Sequence, residues 1–364
     1  MRPSLLHWPF STVLAATAWL CTACPSPEPV ENHSVCATDP AFAGAAWEVV
    51  VDTDALGGAL FSIWGSSAQD VWAVGATNKD KPDFGAQVLR WDGKVWKRLK
   101  SGVQGELWWV TRGFPAGTVW IAGSKGTILR SDGKSFEVQQ TPDKTQLFGI
   151  YAFSEQDVYA VGGNAQCTPG IACGTIWHFD GKTWSQPAGL TGALMGKATW
   201  FKTWGRNAKD LWVVGSSSEI LHFDGTTWSE TPVPAPDQQI FTVHGNDTLT
   251  VAVGGFGAGV VFENAGTGWK VAKVSGVMPG LRGVFVPADG RAVAVGENGS
   301  VWRRCGGLWT QETAAPEALL DFHAVWKAAS GELFAVGGAI NAPPYAGGQI
   351  VHFGVKTNVH TIGE

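Results

Sequence analysis

The sequence predicts an all-β fold, a ring of seven four-stranded blades, and three observations predict it. The first is a strand-like run that ends in glycine and returns seven times. It reads "DVWAVG" at Gly75, "TVWIAG" at Gly123, "DVYAVG" at Gly162, "DLWVVG" at Gly215, "TVAVG" at Gly254, "AVAVG" at Gly296 and "LFAVG" at Gly337. Intervals of 39 to 53 residues suit one propeller blade each. The second is a turn, "HFDGKTW" (178–184), which recurs as "HFDGTTW" (222–228), with relatives "RWDGKVW" (90–96) and "RSDGKSF" (130–136). The third is composition: 48 glycines, 20 tryptophans and only 16% charged residues in 364, as expected of short strands joined by tight turns.

Each unit has the same internal order. An inner strand A ("LFSIWG", "LFGIYA", "IFTVHG") precedes the glycine-ended strand B. Strand C follows ("VLRW", "ILRS", "IWHF", "ILHF", "VVFE", "VWRR", "IVHF"), and strand D begins at Trp96, Phe136, Trp184, Trp228, Trp269 or Trp309. Seven sets of A, B and C are thus followed by only six D strands. "AWEVVV", with Trp47 in the D position, supplies the seventh from the front of the chain. The expected fold is therefore a seven-bladed β-propeller over 46–354, closed by its N-terminal strand, which also hides edges prone to pairing with other chains.

Asp-Gly between apolar strands marks a tight hairpin, since glycine accepts the positive φ of such turns. The repeated motif is then the C–D turn plus the first packing residue of strand D. His178, His222 and His352 share a column with Arg90, Arg130 and Arg303, one per blade, so they are expected to be architecture satisfied by carboxylates such as Asp157 or Asp210.

Before the ring lie two further segments. Residues 1–23 read as a signal peptide: Arg2, then an apolar stretch from Leu5 to Leu20 too short for a comfortable membrane span. "LCTAC" resembles a bacterial lipobox, with Cys21 where leucine is usual, and makes Cys24 the expected lipidation site; plain secretion is the alternative. Residues 24–45, proline-rich and polar, read as a tether, and 355–364 as a C-terminal tail. Of the other cysteines, Cys167 and Cys173 bracket one loop, and Cys36 is within reach of Cys305 on the sixth C–D turn; both pairs are expected disulfides, free thiols being the alternative.

The pattern "IWGSSAQDVWAVG…VLRWDGKVW" resembles the seven-bladed propellers of bacterial cell-surface lipoproteins, near the BNR/Asp-box and Kelch groups. The turn here has one residue fewer between Asp and Trp than the Asp-box, and a Kelch-like diglycine occurs at Gly162-Gly163, Gly254-Gly255 and Gly337-Gly338. The resemblance implies a fold that hosts many activities.

The sequence carries few motifs of catalytic or ligand chemistry. "GKS" (133–135) and "GKT" (181–183) lack the glycine five positions earlier that a phosphate loop needs. Neither G-x-S-x-G nor H-E-x-x-H occurs, and the acidic stretches 52–54 and 80–83 have too few ligands for calcium. No catalytic residue, metal ligand or cofactor is expected. A net charge of −5 without a basic run argues against nucleic acid, and the membrane is expected to be met only through the lipid.

Function is sought in the loops instead. Three B–C connections are long (76–86, 163–174, 338–348), and the longest D–A connection (185–199) opens on the same face. Phe84 and Tyr345 on these loops, with Trp108, Lys202, Arg282 and His323 early in strand A, form the candidate binding face. Inter-blade packing is the competing reading of the strand A residues. The expected protein is a non-catalytic, monomeric, envelope-anchored propeller, in the outer rather than the inner membrane, that binds an envelope protein or glycan. An assembly subunit differs only in partner. The alternative is a carbohydrate-active enzyme of sialidase-like or other glycoside hydrolase type. For it strand A offers Arg282 but no converging set of three arginines, and its one tyrosine is Tyr151.

Overall fold

A computed structural model describes residues 45–115, 117–164, 173–235, 237–312, 320–354 and 362–363. Seven antiparallel sheets follow one another around a central channel. Their inner strands are Leu60–Ser67, Leu107–Arg112, Leu147–Ser154, Trp200–Asn207, Ile240–Gly245, Leu281–Phe285 and Asp321–Lys327. The outer strand of the seventh blade is Ala46–Val51, antiparallel to Ala346–Gly354 with Trp47 opposite Phe353. First and last blades then share one core, in which Trp326, Phe334 and Ile350 pack with Ile63, Val71, Leu89 and Trp91. Two outer strands gain a parallel fifth neighbour. Ile362–Gly363 adds to Trp96–Leu99, so the expected tail contributes a strand, and Lys273–Val274 adds to Leu308–Gln311.

The recurring glycine has a steric cause. At all seven sites an added Cβ would lie 1.8–2.4 Å from the carbonyl oxygen that precedes the paired residue of strand A: Ala59, Glu106, Gln146, Thr199, Gln239, Gly280 or Asp321. That carbonyl is drawn in because it accepts the N–H after the glycine, as from Ala76 to Ala59 (2.9 Å) and from Gly255 to Gln239 (2.9 Å). Immediately after this contact every inner strand carries a register shift, from Leu60/Ser62 to Phe322/Ala324. One residue per blade is left out of the ladder, which re-aims its side chain.

The Asp-Gly motif forms the C–D turns. Gly93, Gly133, Gly181 and Gly225 have φ of 85–92°, a region glycine enters without steric cost. The preceding aspartates cap the turns, as where Asp180 accepts the N–H groups of Lys182 and Thr183 at 2.8 Å. Asp92 is held down at about 2 by Lys97 and by the turn N–H groups, and Asp132 at about 2 by the N–H groups of Ser135 and Lys134.

The His/Arg column is structural, as its one-per-blade spacing implied. His178 and His222 bond Asp157 (2.8 Å) and Asp210 (2.7 Å), while Arg90 pairs with Asp70 (2.8 Å). Each ring or guanidinium covers the aromatic beside it on strand B: Tyr159 under His178, Trp212 under His222, Trp72 under Arg90.

Gly254→Ala should cost about 3 kcal/mol or more, because backbone on both sides of the contact must move. Gly192→Ala, where an added Cβ meets nothing within 4 Å, should stay within about 0.5 kcal/mol. Urea denaturation of the two variants measures both, and a neutral Gly254→Ala would refute this account of the repeat.

Candidate binding site at the channel mouth

The seven residues freed by the register shifts are Phe61, Trp108, Phe148, Phe201, Phe241, Arg282 and His323. They sit at the same level, near the start of each inner strand, and so on the face that carries the B–C loops. Neighbours touch in sequence around the ring. Phe61 stacks on Trp108 at 4.1 Å, Trp108 meets Phe148 at 5.3 Å, Phe148 meets Phe201 at 5.6 Å and Phe201 meets Phe241 at 5.3 Å. The Arg282 guanidinium then covers Phe241 at 4.5 Å, and His323 lies 5.6 Å from Phe61. Five aromatic rings, one cation and one imidazole thus collar the channel.

Two loops extend the collar outward. Tyr345, on the long connection of the seventh blade, leans edge-on over Phe61 (5.2 Å) and Trp108 (5.5 Å). Phe256, on the fifth B–C connection, is 61% exposed yet lies 4.4 Å from Arg282 and 5.1 Å from Phe241. Arg282 is itself fixed: it donates to Glu297 (3.0 Å), Asn341 (3.1 Å) and the Gly255 carbonyl (3.3 Å). Glu297 also accepts the N–H groups of Gly257 and Gly280, and Asn341 donates to Asp321 at 2.6 Å. The exposed phenyl therefore rests on a clamped cation.

The residues expected at this face are distributed unevenly. Trp108, Tyr345 and His323 meet, and Arg282 joins the same ring across the channel. Lys202 belongs one residue deeper; the ring residue of its blade is Phe201. Phe84 stands apart, on a 3-10 turn beside its own outer strand, where its carbonyl accepts the Ser101 N–H and Lys100 lies 5.6 Å over its ring. Phe61, Phe148, Phe201, Phe241 and Phe256 were not anticipated. Their signal was available, since each of the first four follows the start of strand A by one residue, but alternation alone assigns that position to a blade face rather than to the channel. Cys24, Cys36 and Cys167 lie outside the described residues. Cys173 and Cys305 are disulfide-bonded.

Electrostatically the mouth is shielded. Burial, the Lys202 charge and the Arg282 charge hold His323 down at about 3, against the pull of its Nδ1 contact with the Phe61 carbonyl. Lower in the channel, His244 accepts the Val286 N–H at 3.1 Å and is likewise held at about 3, chiefly by burial. A glycosidase of sialidase type needs converging arginines, and here they diverge. Arg282 is at the mouth, while Arg112 and Arg206 leave the opposite ends of their strands to bond the Ala152 and Asn246 carbonyls of the next blade. Among the described residues no group of His, Cys, Asp or Glu is placed to hold a metal, and no helix is long and apolar enough to cross a membrane.

No family model matches the chain, and no curated protein matches it. Solved structures match in fold. The WD40 propeller domain of Doa1 is 12% identical with a TM-score of 0.62, over 88% of this chain and 100% of that one. YCF48 from Cyanidioschyzon merolae is 16% identical with a TM-score of 0.61, over 85% and 99%. Virginiamycin B lyase from Staphylococcus aureus is 12% identical with a TM-score of 0.60, over 86% and 99%. These likenesses establish a seven-bladed propeller.

A neutral, half-buried imidazole makes stability depend on pH in a definite direction. Below its unfolded value near 6.5, His323 takes up a proton only on unfolding. Its share of stability is therefore complete above that value and lost as pH falls toward 3, at about 1.4 kcal/mol per pH unit. His323→Phe places in this blade the residue four others carry. It should flatten the decline between pH 6.5 and 4.5 by that amount, measured by urea unfolding at several pH values; an unchanged slope would show that His323 is already charged.

Proposed function

We propose that the protein is a binding propeller that holds a protein segment on its loop face, without chemistry of its own. The observation that carries this reading is the collar of channel residues with Phe256 exposed on top of it. Binding hot spots are aromatic or arginine anchors held rigid before the partner arrives. Phe256 is such an anchor, and Tyr345 with the aromatic ring supplies an apolar well beside it. Fold alone does not choose between binding and catalysis, since one neighbour of this fold is described bound to a peptide and another is a lyase. The site favours binding, because the carboxylates near the mouth are engaged: Glu297 and Asp321 by Arg282, Asn341 and loop N–H groups, and Glu106, beside Tyr345, by the Ser124 hydroxyl.

The remainder of the proposal concerns placement. Cys24 carries a lipid in a bacterial envelope, outer membrane before inner. Residues 24–45 tether the ring, and disulfides join Cys36 to Cys305 and Cys167 to Cys173. Ala46 starts its strand opposite Gly354, at the end of the ring away from the long loops, so a tether entering there leaves the loop face directed outward.

Phe256→Ser combined with 338–348 shortened to a three-residue turn should leave the fold intact and weaken partner capture at least tenfold. The assay is surface capture of peptides selected against the wild-type protein. Retained capture, with loss on changing the C–D turns, would place binding on the opposite face. For the anchor, Cys24→Ser should move the protein from the detergent phase to the aqueous phase; wild-type protein already in the aqueous phase would reject it.

A further inference from the structure

Lys202 is unlike every other lysine described here. It is 4% exposed, and no carboxylate among the described residues pairs with it. Its chain leaves the fourth blade and passes the third, where Nζ donates to the Phe148 carbonyl at 2.7 Å. It ends 4.0 Å over the Trp109 ring of the second blade. The ammonium therefore lies across the channel, one level below the aromatic collar. An ammonium has three N–H donors, and one of them is spent on Phe148. Trp109 is half-buried, so part of the residue over which Nζ lies meets solvent.

The neighbouring charges do not answer it. Arg282 is already met by Glu297, and the imidazole of His323 adds no negative charge. In the collar above, the Trp108 indole N–H is buried without an acceptor. A buried cation without a counter-charge is costly, and the cost is relieved when an anion binds. We infer that Lys202 makes the axial channel, just below the aromatic ring, a binding site for one carboxylate. This rests on the mouth being a binding site and adds what that site reads.

The chemistry selects a carboxylate over a phosphate. One unmatched positive charge balances one negative charge, and a dianion would bring a second charge into an aromatic-walled channel with nothing to meet it. The collar rings above and the Trp109 ring against Nζ suit a carboxylate on an apolar body. Burial pushes Lys202 well below the ordinary lysine value, and a bound carboxylate would restore it. Two sources share this chemistry: the free C-terminus of a peptide that enters through the collar, and a small carboxylic acid free in solution.

The full-length protein tests the inference by calorimetry with acetyl-Ala-Leu-Phe bearing a free C-terminus, with its C-terminal amide, and with sodium acetate against sodium chloride. The free-acid peptide should bind at least tenfold more tightly than the amide, and Lys202→Met should erase that difference. Met is apolar and of similar length, so Lys202→Met should melt at or above the wild-type temperature. Acetate that raises the wild-type melting temperature but not that of Lys202→Met, with no preference for the free-acid peptide, would support the site and identify the free acid as its source. Equal binding of both peptides with no acetate effect, or a preference that survives Lys202→Met, would overturn the carboxylate site. Phe256→Ser separates the two readings: if it weakens both peptides while Lys202→Met changes nothing, the mouth binds and Lys202 is only a strut. If no peptide and no acetate binds, the mouth and the carboxylate site both fall.

Discussion

The close approach of strand B glycine to the carbonyl that precedes its partner on strand A governs this structure. A side chain at any of the seven glycines would occupy the place of that oxygen. With glycine there, the carbonyl closes onto the next N–H, and strand A accommodates the tightened pairing by releasing one residue from the ladder. The released residue turns into the channel. A steric requirement on strand B thus determines which residue of strand A faces the axis, and the same contact repeated seven times brings seven side chains to one level. The collar follows from the glycine.

A second constraint arranges the blades. The outer-strand aromatic of one blade packs on the strand B aromatic of the blade before it: Phe136 on Trp72, Trp184 on Trp120, Trp228 on Tyr159 and Trp269 on Trp212. Near the other end of the inner strand, glycine again makes room. A Cβ on Gly245 would meet Trp204 at 2.7 Å, and one on Gly65 would meet Trp326 at 2.6 Å. The second of these contacts joins the seventh blade to the first. Ring closure therefore uses the wedge that also joins the fourth blade to the fifth, supplemented by the N-terminal strand.

These contacts explain what the sequence disclosed and what it concealed. The glycine-ended strands and Asp-Gly turns were legible because each is required by backbone geometry, which only one or two residue types satisfy. The carboxylate partners of His178 and His222 were legible for a related reason, since a half-buried ring in a repeated position needs an acceptor nearby. The collar was harder. Phe61, Phe148, Phe201 and Phe241 resemble ordinary core residues in a one-dimensional pattern, and only the register shift after Leu60 or Leu147 sends the next side chain to the axis. The same shift explains Lys202: counted by alternation it belongs with Arg282 and His323, yet Phe201 takes the released position. Phe84 misled because a long loop was equated with the mouth, whereas its 3-10 turn folds back along its own outer strand. The two added parallel strands depend on pairs of residues too short to carry a pattern.

The collar differs from the rest of the repeat in how it departs from regularity. Along strand B the closing glycine recurs in all seven blades and the Asp-Gly turn in four, as expected where the residue serves the blade itself. At the released position five blades supply aromatic rings and two do not, although nothing in the local backbone distinguishes Arg282 or His323 from Phe241. Arg282 costs a buried guanidinium, and Glu297, Asn341 and the Gly255 carbonyl are all engaged to satisfy it. A phenyl group there would need none of them. What the arginine adds is a charged platform under the 61% exposed ring of Phe256. An inter-blade packing role accounts for the rings that bury each other, such as Phe61 and Trp108, but not for an outward-facing phenylalanine held in place by a buried cation. Where the repeat is broken at a cost in burial, the broken positions converge on the mouth, and that convergence separates a candidate site from the scaffold around it.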